Sequence, residues 1–130
     1  MKIAVITDDG WTVSQHFGRA PYYSVFEIND GKIVNRELRN KLGHTEFAAG
    51  EHEHHHEDHG MDESHHQKHQ QMASPIADCE VLICGGMGRG AYESMRLMNI
   101  KPIVTELLDM EAVVQAYLNG TLVDHIEKLH

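Results

Sequence analysis

Eight histidines crowd into one stretch of twenty residues, GEHEHHHEDHGMDESHHQKH, from Gly50 to His69. His52, His54, His55, His56, His59, His65, His66 and His69 are mixed there with Glu and Asp. Imidazole nitrogens among carboxylates suit borderline divalent ions, so nickel, zinc or copper is the metal such a segment would take. A solvated acidic loop that binds metal only incidentally has the same composition. The interior position of the run excludes a terminal purification tag.

Two further stretches carry residue types that could do chemistry. Gly85-Gly86-Met87-Gly88-Arg89-Gly90 lacks the Lys-Ser/Thr of a P-loop and does not have GxGxxG spacing, so a nucleotide is not indicated. The amides of Gly86, Gly88 and Gly90 at the start of a helix, with Arg89 beside them, form a seat for an anion. The same glycines equally suit a tight strand-to-helix turn. Ser14-Gln15-His16-Phe17-Gly18-Arg19-Ala20 presents His16 on a loop, with Phe17 as an apolar anchor. A lone loop histidine is more often structural or solvated than a ligand. Cys79 and Cys84 are five residues apart on one expected strand, facing opposite sides at a separation of roughly 16 Å. That spacing excludes a shared disulfide or metal. Cys79 reads as core filling. Cys84 falls at the strand end, where it could serve as a soft ligand, although a free cysteine is most often buried.

The elements that must position these residues follow from pattern. Lys2–Thr7 is a β-branched run and Tyr22–Asn29 alternates aromatic and aliphatic residues. Asn29-Asp30-Gly31-Lys32 is a hairpin turn into a third strand over Ile33–Arg39. Residues 41–71 hold seven Asp/Glu against two Lys and few large apolar side chains, which predicts a long disordered loop interrupting a single domain over 1–130. A short helix over Gln70–Ala77, containing Pro75, leads into a strand over Glu80–Cys84. A helix over Ala91–Met98, a strand over Ile103–Thr105 and a helix from the Asp109 cap to about Asn119, stopped by Gly120, complete the order. Val113, Tyr117, Val114 and Leu118 form the apolar face of that last helix.

A hairpin followed by βαβ crossovers predicts a mixed α/β sheet with flanking helices. With the first and fourth strands parallel, the 8–21 loop, the histidine loop, the glycine turn and the loop at Glu106 share the carboxyl edge, where open α/β sheets bind ligands. Formal net charge is -9, which argues against nucleic acid as a partner. No apolar run reaches membrane-span length, and the opening residues lead into a strand pattern and not a signal peptide, so a soluble cytoplasmic chain is expected.

The segments MKIAVITDDGWTVSQHFGRAPYYSVFEIND, ADCEVLICGGMGRGAYESMRLMNIKPIV and AVVQAYLNGTL, in that order, resemble the dinitrogenase iron–molybdenum cofactor biosynthesis family of NifX, NifY, the C-terminal part of NifB and the orange protein. The likeness covers the chain except residues 41–71, and its most specific parts are the HFG-x-A segment and the GG-x-G-x-GA turn. It implies a ribonuclease-H-like fold with a five-stranded mixed sheet. It also implies non-catalytic binding or carriage of an iron–molybdenum cofactor, its precursor or another metal–sulfur cluster, exchanged with donor and acceptor proteins of an assembly pathway. The family's cluster-binding histidine falls on His16. The histidine loop departs from the simplest members. Metal–sulfide clusters are anionic, which agrees with the amides and Arg89 read above.

Other classes compete. A two-metal nuclease needs carboxylates converging on central strands, and Val81-Leu82-Ile83 offers none. A metallochaperone or buffer for nickel, zinc or copper would act through the histidine loop. A small regulatory interaction domain would carry no metal at all.

Overall fold

The computed structural model describes residues 1–41 and 73–130. The first strand, β1 (Lys2–Thr7), is buried over five consecutive residues, as a run with no polar alternation requires of a strand covered on both faces. Ala4 and Ile6 point into one apolar cluster, Ile3 and Val5 into the other. β2 (Tyr22–Asn29) splits likewise, with Tyr23 and Val25 on the first side and Phe26 and Ile28 on the second. Asp30 (φ 53°) and Gly31 (φ 73°) then turn the chain into β3 (Lys32–Asn40). Positive φ at both central residues matches the strand twist, which makes Asp-Gly an effective hairpin turn.

β4 (Val81–Cys84) is wholly buried and runs parallel to β1, pairing Ile3 with Val81 and Val5 with Ile83. β5 (Lys101–Val104) runs parallel to β4 in turn. The sheet order is β3-β2-β1-β4-β5, five strands with β1 central, β2 antiparallel to it and β3 antiparallel to β2. Pro102 is accommodated because β5 is an edge strand. Pairing of Lys101 with Val81 starts this strand two residues before the expected Ile103 and ends it at Val104.

Among the described residues, one helix packs on each face. α1 (Arg89–Leu97) contributes Ala91 and Met95 to the cluster of Ala4, Ile6, Tyr23 and Leu82. α2 (Met110–Asn119) contributes Met110, Val113 and Val114 to the opposite cluster, with Tyr117 and Leu118 packed against it. Each fully buried Met or Val among them contributes roughly 1.5–3 kcal/mol. Asp109 caps α2 by accepting from the Ala112 amide at 3.2 Å, and Gly120 ends it at φ 75°, the left-handed conformation glycine adopts without strain. This mixed α/β architecture is the one expected from the pattern.

Two corrections concern local placement. Cys79 precedes β4 and does not lie on it, so the two-residue alternation does not reach it; both cysteines enter the same apolar cluster. Of the short helix expected over Gln70–Ala77, the described part has Ala73 in α-helix and passes into a 3₁₀ turn over Ser74–Ile76, with Pro75 in its first turn. The histidine loop lies outside the described residues.

Candidate functional site

The 8–21 loop is shaped by its own side chains. The Asp9 carboxylate accepts from the amides of Trp11 (2.8 Å) and Thr12 (2.9 Å), which together hold its pKa down at about 2. The Gly10 amide donates to the Thr7 hydroxyl at 2.9 Å. Further on, the Ser14 amide donates to the Ile6 carbonyl at 2.8 Å, and the Ser14 hydroxyl accepts from the His16 amide at 3.1 Å. His16 in turn accepts, through its carbonyl, from the amides of Arg19 and Ala20. Phe17 is buried in the α1-side core, while His16 beside it is exposed. The aromatic ring anchors the loop, and its neighbour faces outward.

Lys41 supports this loop from beneath. Its ammonium lies 4.7 Å from the Phe17 ring centroid and donates to the Phe17 carbonyl. Only 2% of Lys41 is exposed, and burial pushes its pKa down to about 8, with Asp8 opposing.

The glycine turn meets the loop backbone to backbone. The Gly85 amide donates to the Ser14 carbonyl (2.8 Å) and the Phe17 amide to the Gly86 carbonyl (3.1 Å). A Cβ at Gly86 would sit 2.6 Å from the Gln15 carbonyl oxygen, a distance no side chain tolerates. Gly86 is therefore required by the close approach. The turn then enters α1 through Gly88, its extended N-cap.

Between loop and turn lies a pocket of about 530 Å³ lined by His16 to Arg19, Gly86 to Ala91 and His130. Two arginines and two histidines, with no Asp or Glu, make up its charged and titratable side chains, in a chain of net charge -9. Neither Arg19 nor Arg89 has an ion-pair partner among the described residues. Among those residues nothing accepts from the amides of Gly88 or Gly90, while the Arg89 amide donates to the His130 carbonyl at 2.9 Å. The arrangement favours an anion with an accessible metal or polar centre.

His16, Gly86, Gly88, Arg89 and Gly90, singled out from sequence, thus come together at one pocket. Cys84 does not join them. It is fully buried, its Sγ 3.8 Å from the Ile103 carbonyl oxygen, and burial pushes its thiol up to about 12 despite an opposing hydrogen bond from the Gly86 backbone. Its expected place at the rim is corrected: the last residue of β4 still points inward, and the turn begins one residue later. The loop around Glu106 also stays apart. It meets the start of the 8–21 loop, through the Val13 amide to the Leu108 carbonyl at 2.9 Å, and does not line the pocket. Among the described residues no three His, Cys, Asp or Glu side chains converge on a point. The eight loop histidines, His52 to His69, fall outside those residues. Arg19, Lys41 and His130 were missed from sequence. Arg19 stood within the quoted loop motif, whereas nothing local marks Lys41 or His130.

The dinitrogenase iron-molybdenum cofactor family profile matches residues 1–120. The chain belongs to that family. Its family membership links it to binding or carriage related to the iron–molybdenum cofactor. Solved structures share its fold. A dinitrogenase-like protein from Methanocaldococcus jannaschii is 14% identical, with 95% of this chain and 93% of that one covered at a TM-score of 0.64. A NifB-like protein from Thermotoga is 21% identical, with 95% and 91% covered at 0.60. The apo form of the orange protein from Desulfovibrio gigas is 21% identical, with 95% and 91% covered at 0.63. None of the curated proteins matches its sequence. No helix among the described residues is long and apolar enough to cross a membrane.

Proposed function

We propose that this family member is a non-catalytic carrier, holding an iron–molybdenum cofactor, its precursor or a related anionic metal–sulfur cluster in the pocket between the His16 loop and the glycine turn. One observation carries the reading: the pocket is lined by Arg19 and Arg89 and by no acidic side chain, in a strongly acidic chain. The sulfide face of such a cargo is negative, so the two guanidiniums and the amides of Gly88 and Gly90 attract it, while the exposed His16 imidazole completes an open metal position. A site with few protein ligands holds the cargo loosely enough to hand it on. That suits a protein placed between a donor and an acceptor in cofactor assembly.

The histidine loop has a separate role in this proposal, the collection of nickel, zinc or copper, on the strength of its composition.

Tetrathiomolybdate, a small anionic metal sulfide, tests the reading. Protein made without a tag should bind it with a shift of its visible absorption, and Arg89→Ala with Arg19→Ala should weaken binding by about tenfold or more, since each charged hydrogen-bond donor contributes roughly 1.5–3 kcal/mol. Binding of divalent ions but no sulfide anion would make the chain a metal buffer. Binding of neither would leave an interaction domain.

A further inference from the structure

The pocket contains a histidine that no motif announces. The chain returns to it after β5: the His125 amide donates to the Val104 carbonyl at 2.8 Å, a 3₁₀ turn over Ile126–Lys128 follows, and Leu129 packs against the α1-side core. His130 is then fastened at both backbone ends. Its carbonyl accepts from the Arg89 amide at 2.9 Å, and its amide donates to the Met87 carbonyl at 3.3 Å. The segment is thereby laid along the glycine turn, which Phe17 also meets through the Gly86 carbonyl. His16 and His130 flank the same turn, both exposed and both lining the same pocket.

We infer that His130 is a second imidazole donor to the cargo, acting together with His16 beside the glycine turn. The inference rests on the carrier reading and deepens it by naming a second protein ligand for an open borderline metal of the sulfide cluster. Imidazole is the ligand such metals accept beside sulfide. Two imidazoles delivered by separate segments, each braced through its backbone, are preorganised without forming a closed cage. The fastening also removes the Arg89 amide from the anion seat, since His130 already occupies it, leaving the Arg89 side chain and the Gly88 and Gly90 amides to face the sulfide.

Two probes separate the contributions. Tetrathiomolybdate alone is coordinatively saturated and reads the arginines and amides. Its preformed one-to-one adduct with copper(I) offers an open copper and reads the imidazoles. His130→Ala keeps every backbone bond of the tail. It should bind tetrathiomolybdate within about twofold of wild type but the copper adduct about tenfold or more weakly, since even indirect support of a metal ligand is worth that much. The His130 imidazole nitrogen resonances of the wild-type chain should move when the copper adduct binds. If the wild type binds the adduct while His130→Ala matches it, or while the His130 resonances stay still, this inference is wrong and the carrier reading stands. If the wild type binds neither probe, both fall. Should His130→Ala prove unstable, the wild-type resonances decide alone.

Discussion

The Phe17 amide donates to the Gly86 carbonyl at 3.1 Å, and this bond joins the two segments between which the pocket forms. His16 precedes the donor, Met87 and Gly88 follow the acceptor, and the relation between imidazole and turn amides is set by backbone that cannot repack. Because β1 and β4 are parallel neighbours, the loop leaving one and the turn leaving the other begin side by side. The contact therefore grows out of the sheet.

That closeness makes Gly86 intolerant of any side chain. Gly86→Ala would drive a methyl to 2.6 Å from the Gln15 carbonyl oxygen and should cost about 1–3 kcal/mol, as overpacking against backbone does. Gly18→Ala, whose new methyl meets nothing within 4 Å, should stay within about 0.5 kcal/mol of wild type. Urea midpoints of the two variants check this. Equal effects would mean that the approach of loop and turn is looser than described.

Cys84 should prove irrelevant to the cargo. Its thiol is buried and held protonated to about 12, as is that of Cys79, so neither should react with a disulfide reagent at pH 8 until denaturant is added. Cys84→Ala should lower stability by about 1 kcal/mol, typical of a small core truncation, and leave affinity for the copper–tetrathiomolybdate adduct within about twofold. Fast labelling of the native chain would restore Cys84 as a candidate ligand.

Lys41 predicts a pH dependence with a definite sign. Its pKa is about 8 in the folded chain against an ordinary 10.5, so between those values the unfolded chain binds more protons and stability rises with pH. Cys79 and Cys84 act oppositely above about 9, because their folded values are raised to about 12. Comparing wild type with Lys41→Met at pH 7.5, 8.5 and 9.5 isolates the lysine. The gain of the wild type relative to the variant should grow across the series. A constant difference would show that the ammonium is solvated.

The two metal roles should separate by variant. His16→Ala should abolish or greatly weaken binding of the copper–tetrathiomolybdate adduct and leave zinc uptake nearly intact. Deletion of Glu51 through His69 should do the reverse and keep the thermal midpoint close to that of wild type, because loop length adds little to the entropy of closure. Uptake of zinc by the loop should fall as pH drops from 7 toward 5, through the ordinary imidazole pKa of about 6.5. If both variants lost both activities, loop and pocket would form a single site.

Sequence by itself determined most of the frame. The unbroken apolar run of β1, the Asp30-Gly31 hairpin turn and the Asp109 and Gly120 caps of α2 are local features, each dictated by the side chain or φ angle the element needs, and each stands where pattern placed it. Strand direction followed too, and with it the meeting of His16 and the glycine turn at one edge. Only the tertiary structure decided which side chains reach the pocket. Alternation does not say that Cys84 faces inward at the last residue of β4, nor that Cys79 outside the strand shares its cluster. Lys41 and His130 enter through contacts separated by 24 and 41 residues, from Lys41 to Phe17 and from His130 to Arg89, and no local pattern carries information over such distances. Local chemistry writes the elements. Packing over long separations assembles the site, because the partners of a buried lysine or a fastened tail are chosen only when the chain has closed around them.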